Sequence, residues 1–199
     1  IAIAHYDGEV FALQGGNIAN AYRKVVILDA SDLTNTAKTV PYYNAISAYS
    51  YASNMDVDQA TGDVYIVYRD FNGIVRGYDR SDAGSTGTYC ASTSCHTDRN
   101  TLARYSSSID VQDGQVYVNG YYYLAYYGGM KSFPTAGGPT TTLWSQFTVV
   151  GYKGSVAVTS DGDCWINSNY AFSYYNFQNW DDSLWIHEDC NSGTSDVTL

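Results

Sequence analysis

The sequence predicts an all-β chain of four repeats, each a four-stranded antiparallel sheet, arranged radially as the blades of a β-propeller. Three observations carry this. A glycine-led motif recurs as Gly8-Glu9-Val10-Phe11-Ala12-Leu13, Gly62-Asp63-Val64-Tyr65-Ile66-Val67, Gly114-Gln115-Val116-Tyr117-Val118-Asn119 and Gly162-Asp163-Cys164-Trp165-Ile166-Asn167. Its four glycines stand 54, 52 and 48 residues apart, the length of one blade with its connections. No stretch shows the 3.6-residue apolar period of a helix. The stretch before Gly8 and the stretch after Gly162 together make nearly one more period, which fits a closed four-bladed ring. The strand-like tail, Asp196–Leu199, favours a four-blade portion of a larger propeller instead.

The second repeat is the clearest. Met55 and Val57 alternate with polar neighbours, the turn Ala60-Thr61-Gly62-Asp63 follows, and Val64-Tyr65-Ile66-Val67 is apolar on both sides. That pattern suits a strand covered on both faces. Asp70-Phe71-Asn72-Gly73 reverses the chain, and Ile74, Val75 and Tyr78 form the next strand. This stretch resembles an NHL-type β-propeller repeat through Asp58 at the end of the inner strand, the hairpin 60–65, and the polar Asp70/Asn72 turn before Ile74. The resemblance implies the fold and says almost nothing of function.

The remaining elements follow in order within one domain, 1–199. Repeat one (about 1–45) has strands at Ile1–His5, Glu9–Leu13, Lys24–Asp29 and Lys38–Tyr43. Repeat two (46–105) continues through a long polar excursion, Ser81–Asn100, to an outer strand at Thr101–Tyr105. Repeat three (106–151) has strands around Ile109 and Val111, at Gln115–Asn119, Met130–Phe133 and Thr141–Gln146. Between its second and third strands lies a loop, Gly120–Gly129, in which five of ten residues are tyrosine. Repeat four (152–189) has strands around Val156 and Val158, then Asp163–Asn167, Phe172–Phe177 and Ser183–His187, followed by the tail 190–199.

Composition bounds the function. Of 199 residues, 45% are hydrophobic, enough for a packed core, and only 15% are charged, which excludes a disordered chain. A net charge of −10 opposes nucleic-acid binding and adhesion to anionic membranes. No apolar run reaches transmembrane length, so no membrane insertion is expected. The chain opens on Ile1-Ala2-Ile3-Ala4 with no initiator methionine, and reads as a processed mature chain or an excised piece. Four cysteines allow three pairings. Cys90–Cys95 would close a small polar loop and leave Cys164 with Cys190; a free buried Cys164 thiol is the alternative. A loop disulfide, abundant tyrosine and scarce lysine point to an extracellular location.

Catalytic motifs are lacking. His5, His96 and His187 share no metal spacing, and there is no Gly-x-Ser-x-Gly elbow. Gly15-Gly16 has neither the lysine nor the helix start of a phosphate loop. His187-Glu188-Asp189 reads as a charged outer-strand edge. Asp56, Asp58 and Asp63 lack EF-hand spacing and read as turn residues. No cofactor is implied, and the chain reads as a non-enzyme.

The stronger signal is positional. In a propeller the loops between second and third strands emerge on one face, with the connections between blades. That face would gather Asn17, Asn20 and Tyr22 from repeat one, and Asp70 and Asn72 from repeat two. Repeat three would add Asn119, Tyr121, Tyr122, Tyr123, Tyr126 and Tyr127, and repeat four Asn167, Asn169 and Tyr170. Aromatic planes beside amide and carboxylate groups suit sugar rings, and tyrosine-rich surfaces suit protein contacts. The expectation is an extracellular adhesion or assembly module binding a protein, a glycan or copies of itself. The alternatives are a carbohydrate-binding lectin and a metal-assisted propeller hydrolase or lactonase. The latter would need His5, Asp56, Asp58 and Asp110 to converge on the central channel.

Overall fold

Short runs of β-branched and aromatic residues bounded by Asp-Gly and Asn-Gly turns build strands throughout the described residues. The computed structural model describes residues 2–14, 24–41, 51–69, 73–80, 97–100, 108–122, 127–146, 155–158, 164–168, 183–187 and 197–198. These form four four-stranded antiparallel sheets. The first holds β1 (Ala2–Tyr6), β2 (Glu9–Gln14), β3 (Lys24–Asp29) and β4 (Asp32–Pro41). The second holds β5 (Tyr51–Val57), β6 (Val64–Arg69), β7 (Ile74–Tyr78) and β8 (Thr97–Asn100). The third holds β9 (Ser108–Gln112), β10 (Gln115–Tyr122), β11 (Tyr127–Pro134) and β12 (Thr141–Gln146). The fourth holds β13 (Ser155–Val158), β14 (Cys164–Ser168), β15 (Ser183–His187) and β16 (Val197–Thr198). Each sheet is a meander in sequence order, so each corresponds to one repeat.

The recurring glycine has a local cause. Tyr6 pairs with Glu9 and Gln112 with Gln115, leaving two-residue turns, Asp7-Gly8 and Asp113-Gly114. All four turn residues have positive φ (46°, 75°, 50° and 73°), the twist that matches a tight hairpin to its strands. Asp tolerates that region, and Gly enters it freely.

The sheets stack face to face. β1 packs beside β5, β5 beside β9, and β9 beside β13; no packing of that extent joins β13 back to β1 among the described residues. The first joint is apolar. Phe11, Leu13, Val25 and Ile27 of the first blade meet Met55, Val57, Val64 and Ile66 of the second, all nearly or fully buried. Each such side chain contributes about 1.5–3 kcal/mol by leaving water. In the second joint, Tyr65, Val67 and Val75 meet Ile109, Val111, Val116, Val118 and Phe133.

Several strand boundaries differ from expectation. β4 begins at Asp32 rather than Lys38, and an outer strand of the second blade lies at Thr97–Asn100, within the expected polar excursion, while the expected strand at 101–105 lies outside the described residues. Outer strands need no apolar column, so their polar sequences carry little signal. In the fourth blade Ser183–His187 is the third strand, because it pairs with β14. The fourth strand is Val197–Thr198, so the tail belongs to the blade, and 172–177 lies outside the described residues. His187 therefore sits within the sheet, opposite Cys164 and Val197, rather than on an outer edge strand. The tyrosine-rich loop is shorter than expected. Gly120, Tyr121 and Tyr122 pair with Gly129, Gly128 and Tyr127, leaving only 123–126 as the connection. Tyrosine favours extended backbone, and here it lengthens the hairpin.

Candidate functional site

Two regions hold the chemistry-bearing residues: the end of the blades where second strands turn into third strands, and the inner strands β1, β5, β9 and β13. Antiparallel order puts the ends of the second strands, the starts of the third strands and the starts of the inner strands at one end of the sheets. Asn17, Asn20, Tyr22, Asp70, Asn72, Tyr123, Tyr126, Asn169 and Tyr170 fall outside the described residues. So do Cys90, Cys95 and Cys190, while Cys164 is placed on β14 by its backbone.

Tyr121, Tyr122 and Tyr127 lie at the end of the β10–β11 hairpin. Among the described residues, pairing of β10 with β9 reaches Asn119, opposite Ser108, while β10 goes on pairing with β11 through Gly120, Tyr121 and Tyr122. In the pairing, Tyr121 stands opposite Gly128 and Tyr122 opposite Tyr127. Asn119, expected at the surface, is buried at 2% exposure, and its Nδ2 has no hydrogen-bond partner. It shares a sheet face with Ser108 rather than pointing off the loop end. Asn167 is placed on β14, opposite Ser155 and Leu184.

The inner-strand carboxylates do not converge. Each reaches across to the next blade. Val111 N donates to Asp56 Oδ2 at 2.7 Å, and Val158 N donates to Asp110 Oδ2 at 3.0 Å. The two aspartates occupy equivalent positions, opposite Tyr65 and Tyr117. Burial pushes Asp56 up to about 6, helped by the charges of Asp110 and Asp58 and opposed by the amides of Val111 and Val57. Burial also raises Asp110, against the pull of the Val158 amide. Asp58 stays within its own hairpin, where Ala60 N donates to its Oδ1 at 2.8 Å. Asp63 Oδ1 accepts from Arg80 N at 2.8 Å. Asp58 thus plays the turn role expected of hairpin aspartates, whereas Asp63 bonds an amide beyond its turn and Asp56 one in the next blade, because both carboxylates reach across the sheet rather than back along the chain. His5 is exposed, and its carbonyl accepts from Gln59 Nε2 at 2.8 Å. Among the described residues, no three His, Cys, Asp or Glu side chains are grouped to hold a metal.

No local pattern marks Asp56 and Asp110 as clasps between neighbouring blades; an aspartate facing a tyrosine in an inner strand is the available signal. A second link went equally unforeseen. Arg80 Nη1 meets Glu9 Oε2 at 2.8 Å, and its guanidinium lies 4.8 Å from the centre of the Tyr6 ring, tying the second blade to the first.

No protein-family model and no curated protein matches the chain. Solved structures do. A chain of the nidogen/laminin complex, the nidogen β-propeller, matches with a TM-score of 0.59 over 85% of this chain and 56% of its own, at 9% identity. Sqt1 of Saccharomyces cerevisiae, a WD40 propeller, matches with a TM-score of 0.52 over 97% of this chain and 46% of its own, at 12% identity. The chain is thus all-β with a β-propeller likeness at the level of fold. It spans about half the length of the structures it matches. Among the described residues, no helix is long and apolar enough to cross a membrane.

Proposed function

We propose that the chain is a non-catalytic, extracellular propeller module whose work is adhesion or assembly, with NHL-like blades forming four of a ring. The observation that carries the reading is the β10–β11 hairpin, whose pairing extends beyond the described pairing with β9 and brings Tyr121, Tyr122 and Tyr127 together at its end. Tyrosine supplies large contact area at small entropic cost, which suits a recognition surface. A second support is that Asp56 and Asp110 are engaged with backbone amides, which leaves the inner strands poorly suited to metal-assisted hydrolysis. The partner is an extracellular protein; a glycan is the competing ligand.

The test replaces Tyr122 and Tyr127 with Ala. Binding to immobilised extracellular-matrix protein should fall about tenfold or more, as for interface anchors, with an unchanged circular dichroism spectrum. A glycan array on the same sample separates a lectin from a protein binder. A double variant that unfolds, or one that folds and binds as the wild type does, refutes this role for the hairpin.

A further inference from the structure

The face of the third blade that meets the fourth is polar where the equivalent faces of the first two blades are largely apolar. Register sets Asp110 opposite Tyr117, Ser108 opposite Asn119, and Ser132 on the other side of Tyr117. Alternation gives these five residues one sheet face. Ser108, Tyr117, Asn119 and Ser132 are all more than nine-tenths buried. β13 packs on both β9 and β10, and Val158 N bonds Asp110 Oδ2 from that side at 3.0 Å.

The glycine-led motif makes the comparison direct. Its sixth residue is Leu13 in the first repeat, Val67 in the second and Asn119 in the third. Leu13 and Val67 are buried in apolar clusters of their joints. Packing at this position is therefore met by an aliphatic side chain, and an amide needs another reason. The fourth repeat has Asn167 there, and register sets it opposite Ser155, as Asn119 stands opposite Ser108. The Ser–Asn pair thus recurs at one register in two successive blades.

Two polar atoms of the third face are left over. Asn119 Nδ2 is a buried donor with no acceptor among the described residues. Asp110 Oδ2 takes the Val158 amide, while its Oδ1 accepts no hydrogen bond from the described residues. Asp110 and Asn119 are diagonal neighbours on the sheet, with Cα atoms about 7–8 Å apart in such pairs. One small molecule between the side chains bridges that separation. Leaving a buried donor without an acceptor is costly, and so is stripping water from a carboxylate oxygen. The occupant has to accept from Nδ2 and donate to Oδ1. A cation would face the amide hydrogens and an anion the carboxylate. A neutral hydroxyl group does both. Nδ2 is closed to solvent, so the hydroxyl that fits is that of water itself.

We propose that the joint between the third and fourth blades holds an ordered water, which accepts from Asn119 Nδ2 and donates to Asp110 Oδ1. Asp110 then acts in two directions, one oxygen fixing β13 and the other held to its own blade through the water. The site lies inside a joint and does not rest on the binding role of the tyrosine hairpin, so the two proposals fail independently.

The experiment is a high-resolution crystal structure of the chain, paired with denaturant unfolding of Asn119→Val. The crystal should show a solvent oxygen within hydrogen-bond distance of both Asn119 Nδ2 and Asp110 Oδ1. Asn119→Val installs the residue type of the second blade and removes the donor. Its unfolding constant should rise about tenfold, the scale of a lost buried hydrogen bond. An empty position, or an Asn119 amide held by another group of the chain, overturns the proposal. So does an Asn119→Val chain as stable as the wild type or more so, the result expected of a donor that merely lacked a partner. If Asn119→Val does not fold, the wild-type crystal decides alone.

Discussion

The joint between the first and second blades and the joint between the third and fourth solve one problem by opposite means. In the first, the front face is Ala4, Phe11, Leu13, Val25 and Ile27, and it holds by apolar packing. In the last, the front face carries Ser108, Asp110, Tyr117, Asn119 and Ser132, all of them buried or half-buried. There a carboxylate–amide hydrogen bond fixes the next inner strand. The middle joint mixes both, with Asp56 bonded to Val111 N beside the Tyr65, Val67 and Val75 cluster. Apolar packing is strong but indifferent to small slides; a carboxylate aimed at one amide sets the relative height of two strands. The chain gains its cohesion at one end of the arc and its alignment toward the other.

Breaking the apolar joint should have the largest effect. Phe11 is fully buried, and Phe11→Ala should cost about 3–5 kcal/mol in denaturant unfolding. A cost below about 1 kcal/mol, the scale of a surface change, would show that the first joint is not the main source of cohesion.

The clasp should respond less and differently. Asp56→Ala leaves the Val111 amide without its acceptor and should cost about 1–3 kcal/mol. Asp56→Asn keeps an acceptor oxygen and removes the buried charge. The carboxyl is raised in the folded chain from 3.8 to about 6, so the folded state binds the proton more tightly than the unfolded one. Stability therefore rises as pH falls from about 6 toward about 4, by about 1 kcal/mol between pH 7 and 5 from this group. Asp110, raised by burial as well, acts in the same sense. Unfolding midpoints measured across that range should show the gain in the wild type and a smaller one in Asp56→Asn. An identical pH profile in both would remove Asp56 from the account.

Two hairpin glycines sharpen the same comparison at smaller scale. A Cβ on Gly62 (φ 79°) would lie 2.5 Å from Arg80 Cδ and 2.7 Å from Tyr6 Cε1, inside the Arg80–Glu9 link between blades. One on Gly8 (φ 75°) would meet nothing within 4 Å. Gly8→Ala should cost only its backbone share, about 1–2 kcal/mol, and Gly62→Ala measurably more. Equal losses by thermal unfolding would mean that the link yields without cost. Glu9→Gln, which removes the ion pair alone, should cost less than about 1 kcal/mol, since both side chains keep some exposure.

The sequence by itself determined the four repeats, their glycine-led hairpins and the identity of nearly every central strand. Those features follow from local turn chemistry and from apolar residues with a period of two, both readable along the chain. The outer strand Thr97–Asn100 stayed hidden, because a strand at a sheet edge need not be apolar, while the tail around Val197–Thr198 was legible as a strand but not as the edge of the fourth sheet. The tyrosines of 121–127 were legible as a cluster, but only pairing with Gly128 and Gly129 showed a lengthened hairpin. Tertiary structure alone decided what Asp56 and Asp110 do. In sequence each is a lone acid in an inner strand, open to a channel role. In space each meets an amide 55 and 48 residues away, and no local pattern can encode which distant strand supplies the donor.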